Sequence, residues 1–386
     1  MKIVYLFQSM AKKAGMERIL TGKMNYLAEK GHDIYLITCE QGTHPTPFPL
    51  SPKVKHIDLD VRFFTLYRYN KIKQLFLQYF MEKEYRKKLS DTINEIQPDF
   101  VCCTTYALIE LSAMMQLKDK SIKIVESHTA RTSTNKQNTY TGNIISKYIA
   151  KKYDQNVEAT IKKASLLVAL TEGDAKAWEE LTPRVAVVPN MINYYPETIE
   201  ARKKGKHVIT VGRLAPQKGY DLLVESWKTV YAKHPDWILD IYGTGEEHGK
   251  LVQKIKEYKL EQSIIIHEPT AAIYDKYAES DFYVMSSRWE GFGLVLIEAM
   301  SCGVPCVSFD CNFGPSDIIT DGKDGLLVEA ENTDQLAQKI CYMIEHEDHR
   351  TEMGINARES VKRYLPENIM PLWEDLFNSL LKDKKQ

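Results

Sequence analysis

The run Glu290-Gly-Phe-Gly-Leu-Val-Leu-Ile-Glu298 places two carboxylates on either side of a Gly-Phe-Gly turn. The turn follows an apolar run over residues 282–287 and predicts that a helix covers residues 293–301. Backbone N–H groups at a helix start lack internal partners and bind anions, and nearby carboxylates accept hydrogen bonds from sugar hydroxyls. A helix cap beside a surface glutamate would give the same spacing, so the run alone leaves both interpretations open.

A second segment, Gly212-Arg213-Leu-Ala-Pro-Gln-Lys218-Gly219, closes another predicted strand over residues 207–213. Arginine offers a fork of parallel donors and lysine offers a point charge, a combination that suits a diphosphate. Two basic residues on a loop are usually only solvated. Taken together with the two glutamates, however, they favour a site for a nucleotide diphosphate.

Loops after strands supply three further candidates. Gly15 ends the first loop, and Gly243 opens the turn Gly243-Thr-Gly245. At Gly15 the missing side chain would let the backbone approach a phosphate, and the turn at Gly243 is placed to face a ligand. His128 follows a predicted strand over residues 123–127, where it would bond a substrate hydroxyl or share a proton. A plain loop histidine is the alternative there.

Other nucleotide-binding patterns are absent or weak in the sequence. There is no GxGxxG fingerprint and no Walker lysine motif, which argues against hydride transfer and ATP hydrolysis. Asp58-Leu-Asp60 matches the DxD pattern that holds a metal–diphosphate in another class of sugar transferase, but it lies in a strand-like run over residues 54–61. We therefore expect no metal site and no cofactor.

The elements that must position these residues alternate between strand and helix in both halves of the 386-residue chain. Such alternation predicts an α/β fold of two tandem Rossmann-like domains with parallel sheets. We expect a first domain over residues 1–193, a linker over 194–206 and a second domain over 207–365. Ligands of such sheets bind beyond the carboxyl ends of the strands, here in the cleft that the domains share.

Residues 69–89 form a predicted basic, amphipathic helix with an apolar side made of Ile72, Leu75, Phe76, Tyr79 and Phe80. Most such sides pack on their own domain, and we expect the same here. Binding to a membrane surface is the alternative interpretation.

Charge is distributed unevenly, although the net charge is −1. Residues 1–195 hold 28 Lys and Arg against 20 Asp and Glu, out of totals of 51 and 52 for the chain. A basic first half predicts an anionic partner, which could be nucleic acid, an anionic membrane surface or a diphosphate-linked acceptor.

Composition also bears on location and on the cysteines. No apolar run approaches the about 20 residues that span a bilayer, and the apolar start lacks the other features of a signal peptide. We therefore expect a cytoplasmic protein. The seven cysteines show no metal-ligand spacing, and most lie in apolar runs, which indicates core residues.

These segments together resemble the retaining glycosyltransferases of family 4, which have the GT-B fold. The resemblance is strongest over residues 208–329, through the two-glutamate run, Gly-Arg-Leu…Gln-Lys-Gly, Ile-Tyr-Gly-Thr-Gly and Gly-Pro-Ser-Asp-Ile-Ile. The first half matches more loosely, through Ala14-Gly15-Met-Glu17, His128 and Val188-Pro-Asn190. A shared donor domain with a varied acceptor domain would give this difference. The family also predicts that residues 366–386 return as a helix to the first domain.

The resemblance implies a role for each candidate residue. Arg213 and Lys218 would hold the donor diphosphate, Glu298 the nucleotide ribose and Glu290 the sugar hydroxyls. The backbone amides that would assist them belong to Phe292, Gly293 and Leu294. The remaining donor-site positions are Gly15 near the diphosphate, His128 near the transferred sugar, Gly243 on its loop and Pro269 near the base.

Three departures from the family pattern stand out. The first loop has Ala14-Gly15 where Gly-Gly is frequent, and Asp317 replaces a usual glutamate. His267-Glu-Pro269 replaces a common glycine after its strand, so the base is not predicted.

The resemblance implies transfer of a sugar from a UDP- or GDP-linked donor to a hydroxyl of a glycan or lipid-linked acceptor, with the anomeric configuration kept. A role in surface polysaccharide or glycoconjugate biosynthesis, at the inner face of the membrane, would fit the basic first domain. The rivals are a nucleotide-sugar epimerase or phosphorylase of the same fold, and a nucleic-acid or membrane adaptor. Because an adaptor would not need the Glu290 to Glu298 run, we expect no nucleic-acid partner.

Overall fold

A computed structural model of the protein describes residues 1–105, 108–131, 144–197 and 205–384. Residues 198–204 of the predicted linker and the last two residues of the predicted returning helix lie outside these ranges. Within them, no helix has both the length and the apolar composition needed to cross a membrane.

The first sheet is parallel throughout and has seven strands in the order β3-β2-β1-β4-β5-β6-β7. The apolar runs of its central strands are buried on both faces, as a parallel sheet between two helical layers requires. The strands are β1 (Lys2–Leu6), β2 (Asp33–Thr38), β3 (Lys55–Asp58), β4 (Phe100–Thr104), β5 (Ile122–Glu126), β6 (Leu166–Ala169) and β7 (Val185–Val187).

Helices cover this sheet. Ile19, Leu20, Met24 and Leu27 form the buried side of the first one, as their spacing predicts. The helices are α1 (Gly15–Glu29), α2 (Lys71–Ile96), α3 (Leu108–Met114), α4 (Ile144–Ile161) and α5 (Glu172–Glu179). A 3-10 turn, Phe63–Arg68, precedes α2.

The second sheet is also parallel and has six strands in the order β10-β9-β8-β11-β12-β13. Its strands are β8 (His207–Val211), β9 (Ile238–Tyr242), β10 (Ile264–His267), β11 (Phe282–Met285), β12 (Cys306–Asp310) and β13 (Gly325–Glu329). Its helices are α6 (Tyr220–Lys233), α7 (His248–Glu257), α8 (Ile273–Glu279), α9 (Leu294–Ser301), α10 (Pro315–Ile318), α11 (Thr333–Glu345) and α12 (Glu347–Ser360). A 3-10 turn, Pro216–Lys218, follows β8.

The last helix, α13 (Pro366–Asp383), crosses back to the first domain. Its Phe377 ring lies 4.7 Å from the ring of Phe100 in β4, and the Lys23 ammonium of α1 lies 3.9 Å from the Trp373 ring. The predicted fold class, two tandem Rossmann-like domains with a returning helix, is therefore confirmed. All seven cysteines are free and buried, as predicted.

The expectation for the apolar side of the second helix is wrong. Ile72 is 83% exposed and Phe76 is 65% exposed, whereas Tyr85 and Leu89 farther along α2 are buried in the core. The periodicity correctly identified an apolar side, but only the second half of the helix has a sheet and neighbouring helices to pack against. The first half presents its apolar side to solvent.

Candidate active site

The carboxyl ends of the two sheets meet at the predicted cleft. A Cβ added to Gly15, at the start of α1, would lie 3.1 Å from the Leu294 side chain at the start of α9. A Cβ on Gly291 would lie 2.6 Å from the carbonyl oxygen of His128. The structure thus brings the first loop and His128 of one domain against the Glu290 segment of the other.

Lys218 and Glu290 form the centre of this cluster. The Lys218 ammonium donates to Glu290 Oε1 at 2.7 Å, and the Glu290 side chain is only 9% exposed. Their loops are fixed by two further bonds: Gln217 Nε2 donates to the Trp289 carbonyl at 2.9 Å, and the Arg288 amide donates to the Gln217 carbonyl at 2.8 Å. A cation and a buried carboxylate are therefore held together at the edge of the cleft.

Arg288 also links these two loops. Its guanidinium donates both arms to the Asp221 carboxylate, at 2.9 and 2.7 Å, and one arm also donates to the Pro216 carbonyl at 2.7 Å. The fork geometry fixes the 3-10 turn against the segment after β11. Spacing alone did not single out this residue.

Arg213 differs from Lys218 because no carboxylate in the described part of the chain pairs with it. Its side chain is exposed and makes no hydrogen bond or ion pair to the part of the chain that the structure describes. The backbone around it is ordered, because the Leu214 amide donates to the Thr244 carbonyl at 2.8 Å. A guanidinium on a fixed loop with no internal partner is available to an anion.

The start of α9 supplies the amides that the sequence predicted. Gly293 precedes the helix with φ = 99°, a left-handed conformation that glycine adopts without strain, and no side chain caps the helix. Phe292 is buried and packs edge-on against Tyr364 at 5.4 Å. The Leu296 amide donates to the Gly293 carbonyl at 2.9 Å, so the N–H groups of Leu294 and Val295 are the uncapped ones at this helix start.

Glu298 lies in α9 and meets a residue that the sequence did not single out. Its buried carboxylate forms an ion pair with Arg18 of α1 and accepts from the Tyr277 hydroxyl at 3.4 Å. The Arg18 guanidinium also lies 3.5 Å from the Tyr274 hydroxyl. An arginine of the first domain thus pairs with the carboxylate that, in the family pattern, contacts the ribose.

Gly243 directly follows β9 and lies against the Arg213 loop. Its amide donates to the His267 carbonyl at 3.0 Å, and the His267 ring stacks on Tyr242 at 4.5 Å. Pro269 is exposed on the loop two residues beyond, so it lies beside this turn. The loop that carries Pro269 thus lies at the edge of the cluster.

Replacing Gly243 by alanine should destabilise this loop pair. A Cβ there would overlap the carbonyl oxygen of Gly212, and backbone cannot move away as a flexible side chain can. We expect a loss of about 1–3 kcal/mol of folding free energy, measured as a lower Tm in a thermal melt. Gly249→Ala is the control, since no atom lies within 4 Å of that position in α7. A Gly243→Ala protein as stable as that control would contradict the close approach.

A buried network behind His128 was also missed by sequence reasoning. His128 Nε2 lies 3.1 Å from Glu126 Oε2, and the Lys23 ammonium donates to the same carboxylate. Because a carboxylate only accepts, this contact requires a proton on His128 Nε2. The signal that could have found the network is a lysine within the apolar stripe of α1.

The Glu126 carboxyl of this network is held in its ionised form. Burial works to raise the pKa of Glu126, but the Lys23 ammonium and the His128 ring outweigh it and lower that pKa to about 2. Glu126 is therefore ionised at every physiological pH. Its other oxygen, Oε1, is buried without a hydrogen-bond partner in the described structure. A small cavity lined by Lys23, Glu126, His128 and Asn190 lies beside it.

The carboxylates of the DxD run and of Asp317 have roles in local structure. Asp58 accepts from the Gly42 amide at 2.8 Å and from the Thr38 hydroxyl at 3.0 Å, and Asp60 pairs with Arg62. The DxD carboxylates are thus engaged in turn structure. Asp317 caps the short helix α10 by accepting from the Gly314 amide at 3.1 Å.

Known proteins resemble this chain in sequence. Residues 193–360 match the sequence profile of the family described as glycosyl transferases group 1. A Haemophilus influenzae protein described as an uncharacterized glycosyltransferase is 26% identical over 97% of this chain and 99% of its own length. An amylovoran biosynthesis glycosyltransferase of Erwinia amylovora is 36% identical over 49% of this chain, and the match spans 52% of that relative.

The fold has solved counterparts. Staphylococcus aureus TarM, in complex with fondaparinux, alpha-GlcNAc-glycerol and UDP, superposes with a TM-score of 0.79 over 98% of this chain and 100% of that one, at 17% identity. The profile match, the relative that spans nearly the whole chain and the shared fold together support a glycosyltransferase of group 1 with the GT-B fold.

Proposed function

We propose that this protein transfers a sugar from a nucleotide diphosphate donor, UDP- or GDP-linked, to a hydroxyl of a glycan or lipid-linked acceptor. The observation that carries the proposal is the pairing of Lys218 with the buried Glu290 at 2.7 Å, beside the uncommitted Arg213 and the open start of α9. Groups that donate hydrogen bonds to an anion and groups that accept hydrogen bonds from hydroxyls thus lie together at one edge of the cleft. Residues 207–365 would bind the donor, and residues 1–193 with the returning helix would bind the acceptor.

In this proposal the cations act on the leaving group. Arg213 and Lys218 hold the diphosphate, and the amides of Phe292, Gly293 and Leu294 add their dipoles. When the bond between the anomeric carbon and the phosphate oxygen breaks, the negative charge that develops there meets groups already in place. Such preorganised groups stabilise the charge without a metal ion, so activity is expected to persist in EDTA.

The carboxylates act on hydroxyls. Glu290 accepts from the transferred sugar, and Glu298 accepts from the ribose once Arg18 moves aside. The acceptor oxygen attacks the anomeric carbon from the face that the diphosphate leaves, and its proton passes to a phosphate oxygen of the leaving group. This route keeps the anomeric configuration and assigns no side chain as a covalent nucleophile.

The first domain completes the proposed donor site. Gly15 lies against the Leu294 side chain, and its lack of a side chain would let the backbone approach the diphosphate. His128 contacts the transferred sugar, while Gly243 and Pro269 line the side where the base would lie. A role in surface polysaccharide or glycoconjugate biosynthesis is supported by the Erwinia relative, which is named for amylovoran biosynthesis, and by the glycan-like ligands of TarM.

A thermal-shift screen against UDP, GDP and their sugar conjugates tests the donor class. A nucleotide at 100 times its Kd should stabilise the folded protein by about 2.7 kcal/mol, which raises Tm by several degrees. We expect one base to shift Tm and the other to have a smaller effect. Wild-type protein that responds to neither base would contradict the proposal.

A turnover assay with the donor that stabilises the protein separates the epimerase alternative. With a stabilising donor, a transferase should release free nucleotide faster when acceptor is added. An epimerase would change the sugar of the donor with no acceptor and release no nucleotide. Conversion of the donor sugar without nucleotide release would therefore favour the alternative.

A further inference from the structure

The first half of α2 exposes a continuous apolar surface, here termed the aromatic face. Its members recur at the spacing of one helical side and are Ile72, Leu75, Phe76, Tyr79 and Phe80. Their exposed fractions are 83, 71, 65, 65 and 49%. Contiguous apolar surfaces on a folded protein usually mark a contact with a partner or a membrane.

Local contacts define the aromatic face. The Phe76 and Phe80 rings contact each other at 4.8 Å, and Tyr79 meets Phe80 at 5.5 Å. Asn70 caps the helix by accepting from the Lys73 amide at 3.0 Å. The second half of α2 is anchored in the core through Tyr85, so the exposed half is a fixed extension of the same helix.

More aromatic surface adjoins it. Tyr67 in the 3-10 turn before α2 is 87% exposed, Phe64 is 44% exposed and Tyr69 is 39% exposed. A tyrosine combines an apolar ring with a polar hydroxyl, which suits the boundary between lipid and water. The exposed apolar surface thus extends from the turn into the helix.

Positive charge borders the aromatic face. Residues 62–88 hold eight Lys and Arg and two Glu. Lys71 and Lys73 lie about 100° to either side of Ile72 around the helix axis, and both are exposed. The two acidic residues are already paired, Glu82 with Arg86 at 3.0 Å and Glu84 with Lys88 at 2.7 Å.

The positive charge beside the aromatic face distinguishes between the partners that could cover it. A second copy of the chain would bring two basic borders together, and like charges would repel across the contact. An anionic lipid bilayer would accept the apolar rings and attract the lysines at once, since lysine stems extend to the headgroups while their charges stay in water.

We propose that the aromatic face docks the protein on the surface of an anionic lipid bilayer. The helix would lie in the plane of the interface with its rings buried about 5–10 Å into the headgroup and acyl boundary. The first domain would then stand at the membrane surface, next to acceptors that are carried on lipids. This docking depends on α2 alone and holds whatever the donor of the cleft is.

Vesicle flotation of the full chain tests the docking. Wild-type protein should float with vesicles of equal parts phosphatidylcholine and phosphatidylglycerol, and much less with phosphatidylcholine alone. A Phe76→Ser/Phe80→Ser variant should lose at least about tenfold in the partition coefficient. Ile355→Ser is the matched control, because Ile355 is 69% exposed on α12 of the other domain and should leave flotation unchanged.

A second pair of variants isolates the charges. Each lysine near an anionic surface contributes about fivefold to partitioning, so Lys71→Glu/Lys73→Glu should lower it by about 25-fold or more. Lys256→Glu/Lys259→Glu makes the same charge change on exposed residues of the second domain and should have little effect. High salt should reduce flotation of the wild type in the same direction.

Several outcomes would overturn the proposal. Wild-type protein that stays in solution with anionic vesicles at low salt would do so, as would equal flotation of the Phe76→Ser/Phe80→Ser variant. Light scattering that shows a dimer dispersed by this double substitution would assign the aromatic face to a second copy instead. All altered side chains are exposed, so unchanged Tm values would show that each variant is folded.

Discussion

The Arg213→Ala variant is expected to lose about 10²–10³-fold in kcat/KM for sugar transfer while keeping the thermal stability of the wild type. Arg213 is exposed and has no internal partner in the described structure, so its removal leaves no buried group unpaired. Its charge would act only when a diphosphate is present. The loss should therefore appear in nucleotide affinity and in kcat/KM, and not in Tm.

Lys218→Ala should behave differently, which makes it an informative comparison. Removing the ammonium would leave the buried Glu290 carboxylate without the partner that it has at 2.7 Å. Activity should fall as in the Arg213 variant, and Tm should fall as well, since an unpaired buried charge destabilises the fold. The two cations of the cleft are thus distinguishable by stability.

Two further variants define what Arg213 supplies. Arg213→Lys keeps the charge but loses the paired donors, and we expect an intermediate activity if the fork binds a diphosphate. Arg184→Ala removes an exposed arginine at the opposite, amino end of the first sheet and should be neutral. Near-normal kcat/KM and nucleotide affinity in Arg213→Ala would refute its assignment to the donor.

The sequence predicted where the candidate donor-side residues lie in the fold, because each of them follows a strand in a parallel sheet. Arg213, Gly243 and the segment from Glu290 to Leu294 all come after strand ends, and those ends share one edge. The position of Gly293 before α9 also followed from local rules, since a Gly-Phe-Gly turn after an apolar run predicts a helix start. Short-range patterns thus sufficed to place these residues at one edge of the second sheet.

Contacts between distant parts of the chain could not be predicted in this way. Arg18 and Tyr274 are 256 positions apart, and Lys23 and Glu126 are 103 apart. No periodicity or motif relates such residues, because their meeting depends on how helices and domains pack. The aromatic face illustrates the same limit, since a helical period shows which side is apolar but not what covers it.

Replacing Lys23 by methionine should lower the free energy of unfolding by about 3–5 kcal/mol. The Lys23 and Glu126 side chains are 4% and 3% exposed, and the Glu126 Oε1 atom already lacks a partner in the described structure. Without the ammonium, only the His128 ring would remain beside a buried carboxylate. A loss of this size should lower Tm by about 5–10 °C in a thermal melt.

A double substitution separates charge from packing. In Lys23→Met/Glu126→Gln both charges are gone and the volumes are nearly kept, so most of the lost stability should return. The Lys23 side chain also packs against the Trp373 ring, where methionine retains an apolar contact. A double variant as unstable as Lys23→Met would indicate that the lost ring contact, and not the unpaired carboxylate, causes the damage.

The pH dependence gives an independent test of the same pair. In the wild type the pKa of Glu126 is about 2, below the unfolded value of about 4.3. The pair therefore contributes stability above the unfolded pKa, and this contribution disappears as pH falls towards 2.

In Lys23→Met, burial would instead raise the pKa of Glu126 above its unfolded value. The contribution of Glu126 to the stability of that variant would then be greatest at acid pH, where its carboxyl is neutral, and would be lost as pH rises through the raised pKa. The Tm difference between wild type and Lys23→Met should thus be larger at pH 8 than at pH 5. A constant difference would mean that Glu126 does not change its ionisation when Lys23 is removed.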